Sequence, residues 1–336
     1  MEYRNLGRSG LHVSRVCLGT MMFGGPTDQK VATAIVNAAR DAGINFIDTA
    51  NGYNKGASET MVGKLIARDR DEWVLATKGA ANVGPGTYDR GISRKALMKF
   101  LDDSLRRLGT DYIDLYYLHK DEEEKPLEET IGAIGDMIRA GKVRYWGLSN
   151  YRGWRHAEAV HVADKLGVPH PAASQPYYNA MNRMPETEIL PACAHHGIGV
   201  VPYSPLARGV LTGKYDPKAA PGKGTRAGRD DRRIMETEFR PESLRMAQRI
   251  RKHAESRGMS AAAFAFQWVL NNQIVTSALA GPRTLAQWKA YIAATRKTFT
   301  AEDEALVDGM VVSGHPSTPG YNDPQYAILG RPTGSV

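Results

Sequence analysis

The chain has 336 residues, 42% of them hydrophobic and 24% charged, with two cysteines, Cys17 and Cys193. This is ordinary globular composition, long enough to bury a core without staples, and two cysteines in apolar segments argue against a disulfide framework or a cysteine metal site. The formal net charge is +8, but no Lys/Arg block with interleaved aromatics announces a nucleic-acid partner and no apolar run approaches the roughly 18 residues of a membrane span.

Residues 3–14, YRNLGRSGLHVS, read as a β-hairpin turning at 7–10. The opening MEYRNLGRSGLHVSR lacks the long apolar core of a signal peptide, so a reducing, cytoplasmic setting is expected. Short β-branched or aromatic runs then follow at 15–20, 45–49, 73–78, 113–119, 145–149, 172–175, 199–204 and 276–281, as buried parallel strands should. Amphipathic helices are expected at 28–42, 93–108, 127–140, 154–166 and 244–257. Their stops are Gly43, Gly109, Gly141, Gly167 and Gly258, and Ser93 is a plausible N-cap.

Eight strands alternating with helices over this length predict an α/β fold, a (β/α)8 TIM barrel, in a single domain spanning 1–336. The hairpin at 1–14 would plug its bottom. A doubly wound dinucleotide-binding sheet would need G-x-G-x-x-G after its first strand. Here that strand is followed by Gly19-Thr20-Met21-Met22-Phe23-Gly24-Gly25, and Gly84-Pro85-Gly86 opens no helix. The Pro- and Gly-rich tail at 313–336 should be irregular.

A barrel places its chemistry at the C-terminal ends of its strands. Polar residues end successive apolar runs there: Asp48, Lys78, His119, Ser149-Asn150, Gln175 and Tyr203-Ser204. Singly, each has an ordinary structural reading, as a solvated lysine, a satisfied histidine or a turn-capping aspartate. Together they converge on one mouth. A buried Asp beside a buried Lys forms an ion pair. A lysine cation near Tyr53 should lower the phenol pKa, and a tyrosine so tuned can exchange a proton with a carbonyl oxygen. A histidine can orient that carbonyl. Asp48, Tyr53, Lys78 and His119 therefore read as a proton-transfer site, and the hydride such a site needs must come from a cofactor.

These residues lie in motifs that resemble the aldo-keto reductase family along nearly the whole chain. The motifs are LGTMMFGG at 18–25, FIDTANGYNKGASETMVG at 46–63, VLATKG at 74–79 and LGTDYIDLYYLHKDE at 108–122. They continue with GKVRYWGLSNY at 141–151, SQPYYN at 174–179, VVPYSPLARGVLTGKY at 201–215 and VTSALAGPRT at 275–284. The branch is similar to bacterial members related to potassium-channel β subunits.

The resemblance implies Tyr53 as general acid/base, Lys78 and Asp48 as its tuners and His119 as the carbonyl-orienting group. It implies NADP(H) extended across the barrel mouth, against Gly19, Thr20, Met21 and Gly281. Ser149, Asn150 and Gln175 would hold the nicotinamide carboxamide and Tyr203 would stack on its ring. Ser204, Leu206, Gly209 and Lys214 would cover the pyrophosphate. Arg283 and Gln287 would lie near the adenosine 2′-phosphate, with Arg226 a further phosphate contact. The basic density at 208–233 acquires a rationale, although a solvated loop accounts equally well for most of its charges.

The chain departs from the family's pattern at Ala290-Tyr291, where a Glu-Asn pair often serves the adenine, and at Lys120-Asp121-Glu122, where relatives have Arg-Pro-Asp. Substrate-facing candidates are Met22, Phe23, Tyr88 and Trp154, with Tyr321 and Tyr326 from the tail. Such walls suit an apolar or bulky carbonyl, or the corresponding alcohol, as the small-molecule partner. Two other readings stay open at this point. One is an NADP(H)-binding redox-sensing subunit with little turnover. The other is a barrel hydrolase, which needs paired carboxylates where only Asp48 is well placed. A monomer and a homo-oligomer both fit.

Overall fold

The computed structural model describes residues 1–326; the last part of the expected irregular tail, 327–336, lies outside the described residues. Strands β1 (Tyr3–Asn5) and β2 (His12–Ser14) form the antiparallel hairpin, pairing Tyr3 with Ser14. Eight parallel strands follow: β3 (Val16–Gly19), β4 (Phe46–Asp48), β5 (Val74–Gly79), β6 (Ile113–Leu118), β7 (Val143–Ser149), β8 (Ala173–Gln175), β9 (Gly199–Val200) and β10 (Ala278–Ala280). The sheet order is β10-β3-β4-β5-β6-β7-β8-β9. Its two ends meet where Thr276 N donates to Val200 O at 2.9 Å and Leu279 N donates to Pro202 O at 3.0 Å, which curls the sheet shut into a barrel.

Helices α1 (Gln29–Asp41), α2 (Ala57–Ile66), α3 (Arg94–Leu108), α4 (Leu127–Arg139), α5 (Gly153–Leu166) and α6 (Ile189–His196) each follow one strand. After β9 come α7 (Arg232–Thr237), α8 (Pro241–Ser256) and α9 (Ala261–Asn271); α10 (Leu285–Ala294) and α11 (Ala301–Asp308) follow β10. The helices start and face inward for legible reasons. Asp28 Oδ1 caps α1 by accepting from Val31 N at 2.8 Å, and Ala32, Ile35, Val36 and Ala39 make its buried stripe. Ser93 caps α3, and Phe100 is buried among its packed face. Emptying that site (Phe100→Ala) costs about 3–5 kcal/mol. The five glycine stops all have φ between 63° and 71°. No helix of the described residues is long and apolar enough to cross a membrane.

Two features differ from the sequence expectation. The seventh barrel strand shrinks to Gly199–Val200, because Pro202 has no N–H to give the ladder. Helix α8 starts three residues early, with Pro241 at its first turn, where a missing N–H costs nothing.

Inside the barrel, Leu6, Val13, Cys17, Phe46, Val74, Ala76, Leu115, Tyr117, Ala173 and Val201 form one cluster. Leu6 and Val13 come from the hairpin, which plugs the bottom. Its turn seats so closely that a Cβ on Gly7 would lie 2.3 Å from Gly197 O. Strand side chains alternate between faces. The inward set Phe46, Val74, Ala76, Leu115, Tyr117, Ala173 and Val201 therefore continues, two residues on, to Asp48, Lys78, His119, Gln175 and Tyr203. The period that fills the core also aims these polar groups at the mouth.

Candidate active site

A cavity of about 580 Å³ opens at that mouth, with Asp48, Tyr53 and His119 on its lining. Lys78 lies just behind, wholly buried, ion-paired with Asp48 Oδ1 and donating to Thr49 O at 2.8 Å. Its Nζ is 3.3 Å from Tyr53 Oη. Gln175 Nε2 donates to the other Asp48 oxygen at 3.0 Å, so both carboxylate oxygens are engaged.

Tyr53 reaches this position through an unusual turn. Asn54, Lys55 and Gly56 all have positive φ, of 48°, 57° and 88°, a left-handed run held in place from outside. Asn54 Nδ2 supplies the hold by donating to Met21 O at 2.9 Å and Phe23 O at 2.7 Å in the loop after β3. Beneath the turn, Ser58 bonds Thr20 and Thr49, and buried Glu59 accepts from Thr77 Oγ1 at 2.6 Å and pairs with Arg107 at 2.7 Å. The SET segment of the motif thus fastens α2 beneath the tyrosine.

The electrostatics correct one expectation. Burial raises the Tyr53 phenol above its usual value, and Lys78 only partly offsets it. The lysine still matters, because its charge acts on the phenolate far more than on the phenol. Burial also raises Asp48, with Lys78 and Gln175 as partial offsets. Burial works to lower Lys78, but Asp48 and Tyr53 outweigh it and hold it above the ordinary range. The result is a lysine cation at neutral pH. Burial, helped by the Lys78 charge, pushes His119 down to about 3, so the imidazole is neutral. Its Nδ1 is buried without a partner among the described residues, and its ring meets Tyr53 edge-on at 5.8 Å.

Ser149, Asn150, Gln175 and Tyr203 line the cavity as one network. Ser149 Oγ donates to Gln175 O at 3.0 Å, Asn150 Nδ2 donates to Ser149 Oγ at 3.1 Å and His119 O at 3.0 Å, and Tyr203 Oη donates to Asn150 Oδ1 at 2.8 Å. Tyr203 stacks on Tyr177 with ring centroids 5.5 Å apart. Along the same cavity lie Gly19, Thr20, Met21 and Gly281, the loop residues Ser204, Leu206, Gly209 and Lys214, and then Arg226, Arg283 and Gln287. Of the substrate-facing candidates, Met22 lines the cavity. Phe23 is instead fully buried in the core between barrel and helices. Tyr88 and Trp154 are outside the lining and exposed, with Lys95 and Arg155 over their respective rings. From the tail, Tyr326 joins the lining, and Tyr321 packs under Arg240 instead.

Sequence reasoning did not single out Arg208, Arg229, Arg233 and Gln325, all on the lining, where Ala290 and Tyr291 also fall. The three arginines fall in the basic stretch at 208–233, which was the available signal. Arg208, Lys214, Arg229 and Arg283 have no carboxylate partner among the described residues. A row of cations left unneutralised along a cavity suits a ligand with several phosphate charges.

A parallel barrel with a tyrosine, a lysine and an aspartate at its mouth, beside a phosphate-compatible groove, is compatible with a barrel oxidoreductase. The family model described as "Aldo/keto reductase family" matches residues 15–311, and the chain belongs to that family. It is 37% identical to a probable voltage-gated potassium channel subunit beta of Arabidopsis thaliana, covering 92% of each chain. It is 38% identical to an uncharacterized oxidoreductase of Bacillus subtilis, over 90% of this chain and 93% of that one. It is also 34% identical to L-glyceraldehyde 3-phosphate reductase of Escherichia coli O157:H7, over 94% and 93% respectively.

Proposed function

We propose that this chain transfers a hydride between NADP(H) and an aldehyde or ketone, or the corresponding alcohol, with Tyr53 as general acid/base. The carrying observation is Tyr53 Oη at 3.3 Å from a buried, Asp48-paired Lys78 just behind the cavity lining, beside a neutral His119. Bound nicotinamide would supply the hydride. Tyr53 gives the carbonyl oxygen its proton in reduction and takes it back in alcohol oxidation. His119 donates a hydrogen bond that orients that oxygen. The Ser149–Asn150–Gln175 network suits the carboxamide, the Tyr203 ring offers a stacking face, and Lys214, Arg226 and Arg283 suit the phosphates. Arg283, unpaired beside Gln287, favours NADP over NAD. Met22 and Tyr326 line the same cavity as Tyr53, which keeps an apolar carbonyl as the favoured substrate class. The buried thiols of Cys17 and Cys193 fit a reducing, cytoplasmic setting.

The test is NADPH oxidation with 4-nitrobenzaldehyde by wild type and Tyr53→Phe, run beside NADH. Turnover that the substitution abolishes while NADPH still binds supports the reading. The names of the channel-subunit relatives favour a second one, a cofactor-sensing subunit. NADPH binding without turnover across a broad carbonyl panel would move the assignment there.

A further inference from the structure

The described tail, 313–326, contains no helix or strand, yet it is firmly attached. Ser317 N donates to Met181 O at 2.8 Å, Arg183 N to His315 O at 3.1 Å and Arg152 Nη2 to Tyr326 O at 3.0 Å, and a second set of ties reaches the segment 233–243. Asp323 takes a two-pronged ion pair from Arg233, with Nη1–Oδ1 at 3.0 Å and Nη2–Oδ2 at 2.5 Å. Asp323 is 11% exposed and Arg233 23%, so the pair is largely shielded. Tyr321 Oη donates to Glu236 O at 3.2 Å, and the Arg240 guanidinium lies 3.7 Å from the Tyr321 ring centroid. Arg240 also donates to Thr318 Oγ1 at 2.8 Å and Ser317 Oγ at 3.1 Å, and Ser243 bonds Ser317 at 2.9 Å. Residues 317–323 are thus tied to 233–243. Two residues further on, Gln325 and Tyr326 enter the cavity lining.

The segment that holds the tail also faces the phosphate-compatible end of the cavity. Arg226, Arg229 and Arg233 line it with Arg208. Arg226 pairs at 3.0 Å with Asp231, whose carboxylate caps α7 through Ile234 N at 3.1 Å, and α7 carries Arg233. Arg208 sits close enough to Arg233 for the two charges to oppose each other. An anion arriving among these cations relieves that repulsion and firms the segment.

We propose that Arg233 and Asp323 are positioning residues that make the substrate end of the cavity depend on cofactor occupancy. Cofactor phosphates steady 226–240, and the pair transmits that order to Gln325 and Tyr326 beside Tyr53. The proposal rests on NADP(H) as the ligand, and its test separates the two ideas.

Hydrogen exchange of the wild type, Asp323→Asn and Asp323→Glu is followed with and without NADPH. In the wild type, NADPH should slow exchange at both 226–240 and 315–326, by about tenfold or more at the tail. Asp323→Asn should quicken tail exchange even without cofactor and lose the NADPH effect there, while 226–240 stays protected by NADPH. Asp323→Glu should restore the coupling. In turnover, Asp323→Asn should raise the carbonyl KM by about fivefold to tenfold with kcat and NADPH affinity within about twofold. Equal tail exchange in wild type and Asp323→Asn overturns the proposal, as does a tail that NADPH leaves unprotected while protecting 226–240. Failure of NADPH to bind at all refutes the cofactor assignment and with it the coupling, whereas a cofactor-free difference between wild type and Asp323→Asn still shows the latch itself.

Discussion

Lys78→Met isolates the electrostatic contribution to the proton transfer. Lys78 Nζ is 3.3 Å from Tyr53 Oη. Two unit charges at that separation interact by about 5 kcal/mol at an effective dielectric of 20, so losing the lysine raises the phenol pKa. Part is returned. Asp48, already raised by burial, takes up a proton once its counter-ion is gone, and its repulsion of the phenolate disappears. A net rise remains, with turnover down about a hundredfold to a thousandfold. The sign is specific. Alcohol oxidation needs the phenolate, so its rate climbs as pH rises through the Tyr53 pKa, and carbonyl reduction falls over the same range. Lys78→Met should move both limbs to higher pH. Asp48→Asn removes the negative neighbour instead and should move them lower. The assay is the pH dependence of kcat in both directions, with NADPH binding and circular dichroism as folding controls. An unmoved profile in a folded, cofactor-binding Lys78→Met protein would falsify the assignment of Lys78 as the tuning charge.

Arg283→Ala should cost NADPH about tenfold to a hundredfold in kcat/KM and leave NADH nearly unchanged, read from the ratio of the two cofactors. Burial, only partly offset by Arg240, lifts Glu238 to about 8, and its Oε1 has no partner among the described residues. The folded chain therefore keeps a proton that the unfolded chain loses above its ordinary value of about 4.5, so stability drains away as pH rises from there to 8. Glu238→Gln should match the wild-type Tm near pH 5 and exceed it at pH 8. A Cβ on Gly63 would lie 2.1 Å from Leu108 O, a backbone atom that cannot step aside, so Gly63→Ala should lose about 3 kcal/mol in urea unfolding as α2 and α3 are forced apart.

The floor of the site was legible because it obeys the strand period. Phe46 and Asp48, Ala76 and Lys78, Leu115, Tyr117 and His119 alternate with residues that face the helices, so an apolar inward set ending in a polar residue points to the mouth. The loops have no such period. Phe23 turns into the core and Trp154 turns outward although both lie near strand ends, and nothing in their spacing distinguishes them from Met22, which faces the cavity. The basic stretch at 208–233 was visible as charge density, but which arginines reach inward depends on short turns at 207–212 and 227–229 and on α7, a six-residue helix capped by Asp231. The Tyr53 pKa was misjudged because proximity to Lys78 can be inferred from family spacing, whereas the depth of burial opposing it is a property of the closed barrel.

The hairpin plug sets the order in which the chain can finish folding on a ribosome. Its turn docks against Gly197 and Gly199, and β3 waits for β10 to pair with it. At about 5–20 residues per second, the hairpin stays without its seat for roughly ten to forty seconds. For that time Leu6 and Val13 remain uncovered and β3 presents an open edge, the kind of surface that holdase chaperones capture. A purification tag at the N-terminus would sit beside the last joint to close, and it should slow maturation more than the same tag elsewhere.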